Sequence, residues 1–221
     1  MKKRIKSAIH YLFGNRLLKI IEADNTYTYD QITLTIPPGV FHPHYFTSSK
    51  LLTQFIENNH VKSKSILELG CGSAITSFVA SKKGAYVTAS DISQQVINNL
   101  VLNQKNNETV FQSICSDLFD DIPLIHFDYI LVNPPFYAKN PILEKEHAWY
   151  CGQDFGFFKK LFLQLNERGI KKCIYMTLSS DCELEKIKNI ALEFKYSFYL
   201  IKTTKSISEE NYLFEIRQNQ N

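Results

Sequence analysis

The sequence contains no long hydrophobic run. Its apolar stretches are far too short to span a bilayer, which argues against a membrane-spanning helix. The basic N-terminal residues MKKRIKSAIHYLFGNRLL include neither a long apolar core nor a small-residue cleavage site. They therefore predict an amphipathic helix rather than a signal peptide, and no membrane partner is expected.

Paired cysteines are missing as well. The five cysteines are odd in number and scattered, with no Cys-x-x-Cys pair, so we expect reduced thiols in a cytoplasmic protein. The closest histidines, His42 and His44, have no cysteine or carboxylate partner at ligand spacing, so no metal site is expected. The net charge of +3 is too small to indicate a nucleic-acid partner by itself.

The apolar pattern divides the chain into two parts. Residues 1–22 predict a helix and residues 26–36, TYTYDQITLTI, predict a strand, so residues 1–46 form a small N-terminal helix/strand extension. Across residues 47–221 strands alternate with helices, which predicts a seven-stranded, mostly parallel α/β sheet with helices on both faces. The last two strands follow each other without a helix and should form an antiparallel C-terminal edge.

Polar residues and glycines follow four consecutive predicted strands. The first strand runs into the turn ILELGCGS, where Gly70 and Gly72 allow a positive φ or the close approach of a ligand. The next three strands end at Asp91, Asp117 and Asn133. Because ligands bind at the carboxyl ends of the strands in open α/β sheets, these residues predict one site. The alternatives are a plain turn for the glycines and helix N-caps for the two aspartates.

Glu68 argues against a dinucleotide at this site. A carboxylate just before the glycine turn would repel a pyrophosphate, whereas it suits a ligand with a cationic end, such as an amino acid or a sulfonium. Position 74 carries alanine instead of the third glycine that helps a phosphate to approach.

The series E-L-G-C-G, Asp91, Asp117 and N-P-P-F resembles the class I S-adenosylmethionine-dependent methyltransferases over about residues 47–218. The resemblance implies a Rossmann-like fold and S-adenosyl-L-methionine as the cofactor. It also implies that residues 70–73 pass under the methionine moiety, that Asp91 holds the ribose, and that Asp117 lies near the adenine amine. The cofactor-binding residues implied in this way are Glu68, Gly70, Cys71, Gly72, Ser73, Asp91, Ile92, Asp117, Leu118 and Asn133.

The segment FDYILVNPPFYAKNP is similar to the subset of that family that methylates planar nitrogens, in glutamine amides or in the exocyclic amines of bases. Such a nitrogen has a delocalised lone pair and is a poor nucleophile. The Asn133 side-chain oxygen and the Pro134 carbonyl can accept its two N–H groups, which orients it. Pro134 and Pro135 stiffen the turn, and Phe136 can stack on a flat substrate. These four residues are the predicted catalytic set; the alternative is a turn that only ends the strand.

The sequence predicts the methyl acceptor less specifically than it predicts the cofactor. The segment HAWYCGQDFGFFKKLF is similar to the Gly-Gly-x-Asp-Gly segment of release-factor-type glutamine methyltransferases, but Cys151 replaces the first glycine and Phe155 is inserted. An alternative is a glycine-containing lead-in to a helix capped by Asp154. The entry PPGVFHPHYFTSSKLL resembles the small-domain methyltransferases, which act on proteins and on RNA.

We expect a protein glutamine slightly ahead of an RNA or DNA base, with a small molecule as a third possibility. A nucleic-acid base as the methyl acceptor is favoured by positively charged side chains near the N-terminus and around the substrate loop. They are Lys2, Lys3, Arg4, Lys6, Arg16, Lys139 and Lys145. A binding scaffold without activity is disfavoured because the N-P-P-F motif is intact.

Overall fold

The computed structural model describes residues 25–40, 42–44, 47–205 and 209–219. The helix predicted over residues 1–22 lies outside these ranges. The chain forms a short hairpin followed by alternating helices and strands. In order the elements are β1 Asn25–Tyr29, β2 Ile32–Ile36, α1 Thr47–Asn58, β3 Ser65–Leu69, α2 Ile75–Lys82, β4 Tyr86–Asp91, α3 Gln94–Asn106, β5 Gln112–Cys115, β6 Tyr129–Val132, a 3₁₀ helix Glu144–Ala148, α4 Gly156–Glu167, β7 Ile174–Ser179, α5 Leu184–Glu193, β8 Tyr196–Lys205 and β9 Glu210–Gln218.

Seven strands form the central sheet in the order β5-β4-β3-β6-β7-β9-β8. The pairs from β5 to β7 are parallel, and β9 runs antiparallel to both of its neighbours. This confirms the predicted mostly parallel sheet and its antiparallel C-terminal edge, with β9 inserted between β7 and the outermost strand β8. The chain moves outward from β3 to β5 and then returns to β6 beside β3. Ligand crevices of open α/β sheets form at this kind of reversal.

Two hydrophobic cores cover the two faces of the sheet. On one face, Leu52 of α1 and Phe78 of α2 pack in a cluster that also contains buried residues of the β1–β2 hairpin. On the other face, Phe158 and Phe162 of α4 pack with Ile187 of α5. Helices on both faces explain why the central strands are apolar on both sides.

The prediction of one strand over residues 26–36 is wrong. The chain turns at Asp30, whose φ is 51°, and forms the antiparallel β1–β2 hairpin. Asn103 of α3 and Asn107, which caps the end of that helix, cover the free edge of β2. The Asn103 amide exchanges two hydrogen bonds of 2.9 Å with the Thr35 backbone. Asn107 does the same with Thr33 at 2.8 Å. The hairpin is thereby fixed to the α/β body, and it leads directly to the turn that covers the site.

Candidate active site

A cavity of about 680 Å³ lies at the carboxyl ends of the central strands. The structure brings every residue of the predicted site to its wall, where they lie together because parallel strands end at one edge of the sheet. These residues are Glu68, Gly70, Cys71, Gly72, Ser73, Asp91, Ile92, Asp117, Leu118, Asn133, Pro134, Pro135 and Phe136.

The glycine turn is held in shape by the neighbouring strand. Gly70 and Gly72 have φ values of 68° and 51°, which glycine adopts at little cost. The Cys71 N–H donates to the Ser90 carbonyl at 2.8 Å, and the Gly72 N–H donates to Asp91 Oδ2 at 2.9 Å. A Cβ added at Gly70 would meet no atom within 4 Å, so the turn leaves open space for a ligand.

Asp91 has both carboxylate oxygens fixed by backbone groups. Oδ2 accepts the Gly72 N–H, and Oδ1 accepts the Ser93 N–H at 3.0 Å. Burial raises the pKa of Asp91, these hydrogen bonds oppose that rise, and the charge of Glu144 adds to it. Each oxygen keeps lone-pair capacity, so Asp91 can also accept two hydroxyl groups. The alternative role as a side-chain cap is not observed, because α3 has Ser93 as its N-cap without a side-chain cap bond.

Glu68 lies deep at the end of β3 and is only 6% exposed. Its Oε2 accepts the Ser77 N–H at 3.0 Å and the Ser77 hydroxyl, which ties β3 to the first turns of α2. Burial raises the pKa of Glu68 to about 7, and the nearby charge of Asp91 contributes in the same direction. Ser77, nine residues along the chain, was not indicated by the sequence as a partner.

Lys160 of α4 adds a cation at the other end of the cavity. Its Nζ donates to Asp117 Oδ2 at 2.6 Å and to Asp120 Oδ2 at 2.7 Å. Asp117 is therefore held by an ion pair and is not a helix cap. Lys160 could not be predicted as a partner, because it lies 43 residues beyond Asp117 on a helix with no recognisable motif.

The N-P-P-F turn follows β6 and ends in an aromatic wall. Asn133 Oδ1 accepts the Thr177 hydroxyl of β7 at 2.7 Å. The rings of Phe136 and Tyr137 lie 4.8 Å apart between centroids, and both line the cavity. Burial raises the pKa of Tyr137 to about 12, with the carboxylates of Asp181 and Glu209 contributing, so its phenol is neutral at ordinary pH.

Two segments outside the predicted site residues also line the cavity, and we call them the roof segments. One is the turn Pro38–Val40 after β2, and the other is the 3₁₀ segment that contains Glu144. The Ser93 hydroxyl donates to Glu144 Oε1 at 2.7 Å, which connects this segment to the start of α3. A Cβ added at Gly39 would lie 2.8 Å from Cβ of Lys145, so the two roof segments touch at a position where only glycine fits.

The proposed cap of α4 by Asp154 is wrong. The N-cap is the inserted Phe155, with φ 61° and no side-chain cap bond, and Asp154 instead pairs with Lys159 at 3.4 Å. Phe155 is 5% exposed and packs in the core beside α4, which explains how the insertion is accommodated. Gly152, with φ 89°, approaches Gly156 so closely that an added Cβ would lie 3.2 Å from the Gly156 nitrogen.

The described ranges contain neither a cluster of metal-ligating side chains nor a candidate membrane-spanning helix. No group of three or more His, Cys, Asp or Glu side chains there could hold a metal ion. None of the helices in the same ranges is both long enough and apolar enough to cross a membrane.

Comparison with known proteins agrees with this fold. Residues 31–148, more than half of the chain, match the family described as methyltransferase small domain, and the chain belongs to that family. A T. thermophilus 16S rRNA N2 G1207 methyltransferase, solved with AdoMet and guanosine, has the same fold. Its TM-score is 0.63 at 18% identity, and the match covers 89% of this chain and 50% of that one.

Two curated relatives are similar in sequence. A provisionally named protein N5-glutamine methyltransferase of Methanocaldococcus jannaschii is 34% identical over 106 residues, or 48% of this chain and 51% of the relative. A ribosomal protein L11 methyltransferase of Phocaeicola vulgatus is 39% identical over 72 residues, or 30% of this chain and 25% of the relative. The chain thus spans about half the length of the first relative and a quarter of the second.

Proposed function

We propose that the protein uses S-adenosyl-L-methionine to methylate a planar amide or amino nitrogen, with a protein glutamine as the favoured acceptor. One observation carries the proposal: the N-P-P-F turn and the glycine turn with Asp91 line the same cavity. A methyl acceptor at Asn133 and a cofactor at Asp91 would therefore share one cavity.

The residues present fit this cofactor. Asp91 offers two fixed oxygens to the ribose hydroxyls, and the carboxylate of Asp117 can accept the adenine amine. Glu68 brings negative charge to the end where the cofactor carries its amino and sulfonium groups. The cofactor supplies an electrophilic methyl group on sulfur, and the wall at residues 70–73 leaves room for its chain.

The acceptor nitrogen would be oriented by Asn133 and Pro134. The Asn133 side-chain oxygen accepts one of its N–H groups and the Pro134 carbonyl accepts the other, which directs the lone pair toward the methyl group. Phe136 and Tyr137 provide flat surfaces for a planar group. Catalysis then rests on alignment and on preorganised acceptors.

A protein acceptor is favoured over a nucleic acid for two reasons. The names of both sequence relatives describe methylation of proteins. In addition, the charges of Asp181 and Glu209 contribute to the raised pKa of Tyr137, and negative charge near this cavity-lining ring would repel a phosphate backbone. A nucleic-acid base and a small molecule remain as alternative acceptors, and the experiment below separates them.

The test is transfer of a tritiated methyl group into fractionated lysate from a strain that lacks the protein. Label in a protease-sensitive fraction, recovered as N-methylglutamine after complete enzymatic digestion, is the expected result. Label released by nuclease would assign a nucleic-acid base as the acceptor. Label found in the low-molecular-weight fraction before protease or nuclease treatment would assign a small molecule. No transfer, together with calorimetric binding of NAD rather than S-adenosylmethionine, would overturn the whole proposal.

Asn133→Ala supplies the residue-level test. It should lower turnover by ~10²-fold or more, the scale of one lost preorganised polar group, while the affinity for S-adenosylmethionine is unchanged. Asn106→Ala, an exposed asparagine at the far end of α3, is the matched control and should have normal turnover. Full turnover of Asn133→Ala on the identified substrate would show that the acceptor role is wrong.

A further inference from the structure

The hydrogen bond between Thr177 and Asn133 links β7 to the residue that follows β6 and is partly buried. Val132 pairs with Met176 across β6 and β7, so the next residues of the two strands, Asn133 and Thr177, are neighbours. Thr177 is 0% exposed, and its Oγ1 donates to Asn133 Oδ1 at 2.7 Å. Within the described residues this is the one side-chain hydrogen bond of Thr177.

The hydrogen bond matters because an asparagine side chain ends in two different groups, a carbonyl oxygen and an amide nitrogen. Only the oxygen can accept an N–H group, whereas the amide nitrogen would point its own hydrogens at the acceptor. A half-turn about the last side-chain torsion exchanges the two. The turn Pro134–Pro135 fixes the backbone but leaves this torsion free, so a second contact has to choose the orientation.

Thr177 favours one of the two orientations of the Asn133 amide. In the observed orientation its hydroxyl proton has Oδ1 as acceptor, and Oδ1 keeps a second lone pair for the substrate. In the flipped orientation the hydroxyl could accept from the amide nitrogen, but its own proton would lose Oδ1, the one acceptor that it has among the described residues. An unsatisfied buried donor is unfavourable, so the observed orientation is preferred.

We propose that Thr177 is a positioning residue that holds the Asn133 oxygen, rather than its nitrogen, toward the acceptor nitrogen. The inference rests on the proposed function, since it assigns Asn133 as a hydrogen-bond acceptor. It adds a residue of β7, outside the N-P-P-F motif, to the machinery that selects a substrate with N–H groups to donate.

The first test compares Thr177→Val, which has nearly the same shape, with Thr177→Ser, which keeps the hydroxyl. Valine should lower kcat by about 10- to 100-fold, the scale of a misplaced reacting group, with the KM of the acceptor and the affinity for S-adenosylmethionine nearly unchanged. Serine should restore most of the turnover. Thr203→Val, at an exposed position of β8, is the control and should have normal kcat. Normal kcat in Thr177→Val would overturn the proposal.

The second test separates orientation from a merely structural role. An aspartate has two equivalent oxygens, so in an Asn133→Asp background there is no wrong orientation for Thr177 to prevent. Thr177→Val should then lower kcat by no more than about 3-fold, against the larger loss in the native background. The same loss in both backgrounds would show that Thr177 acts on the fold, and the proposal would be wrong.

A spectroscopic readout applies if the Asn133→Asp protein is too slow to measure. The side-chain ¹⁵N–¹H₂ signals of Asn133, identified by their loss in Asn133→Ala, should be single and sharp in the native protein. In Thr177→Val they should broaden or double, and unchanged signals would overturn the proposal. Failure of the proposed function is distinguishable: in that case Asn133→Ala itself retains full turnover, whatever the result at Thr177.

Discussion

The carboxylate of Asp91 accepts the backbone N–H of Gly72 at 2.9 Å, which joins the end of β4 to the glycine turn after β3. The two residues are 19 positions apart in the chain. Their contact means that the aspartate has two tasks, since it fixes the shape of the turn and also presents its remaining lone pairs to the cavity. Removing the side chain should therefore weaken any ligand that uses both features.

We expect Asp91→Ala to reduce the affinity for S-adenosylmethionine by about 1.5–3 kcal/mol, the contribution of hydrogen bonds to a charged group. Calorimetric titration of the purified protein measures this directly. Asp121→Ala, which removes an exposed aspartate, is the control and should bind normally. Equal affinities in the two variants would contradict the assignment of Asp91 to the ribose.

Glu68 gives a prediction about pH. Its pKa rises from an ordinary 4.5 to about 7 because burial disfavours the charged form. Near pH 4 the carboxyl is protonated in both folded and unfolded chains. As pH rises toward 7 the unfolded chain loses this proton first, so the folded protein binds more protons and becomes less stable. The destabilisation is complete above pH 7, at about 3 kcal/mol.

Glu68→Gln should remove this effect while keeping an oxygen for Ser77. In denaturant titrations without cofactor, the variant should match the native protein near pH 4.5 and exceed its stability by up to ~3 kcal/mol at pH 8. Asp91, whose pKa is also raised, is present in both proteins, so it contributes to the difference only through its interaction with Glu68. The exposed substitution Glu167→Gln is the control, and a difference that does not change with pH would refute the prediction.

The part of the site that could be predicted from the sequence consists of residues at strand ends. Gly70, Asp91, Asp117 and Asn133 each lie at the carboxyl end of a strand or within two residues of it, and parallel strands bring their ends together without further information. Lys160 and Thr177 could not be found in this way. One is on a helix face and the other is an interior residue of β7, and their roles depend on contacts between distant elements.

The sequence of the β1–β2 hairpin contains a pattern that indicates its turn. Tyr27 is buried at an odd position, whereas Ile32, Leu34 and Ile36 are buried at even positions. Because side chains alternate along a strand, this change of phase cannot occur within one straight strand and indicates a turn between the two halves. The roof segment with Glu144 carries no comparable pattern, since its 3₁₀ helix has no buried residue.

Asn211 of β9 gives the last prediction, which concerns stability. It is 2% exposed, and among the described residues its Nδ2 has no hydrogen-bond partner. A buried donor without a partner costs about 1–3 kcal/mol, whereas an apolar side chain of similar shape carries no such cost. Asn211→Leu should therefore raise the free energy of unfolding by roughly 1–3 kcal/mol in denaturant titrations without ligand.

Two further measurements make this prediction specific. Asn106→Leu, at an exposed position, should change stability by no more than about 0.5 kcal/mol, because it relieves no buried group. Turnover of Asn211→Leu should equal that of the native protein, since Asn211 does not line the cavity. A loss of stability in Asn211→Leu would mean that the Nδ2 group is satisfied in solution. A loss of turnover at unchanged stability would mean instead that this amide donates to the substrate.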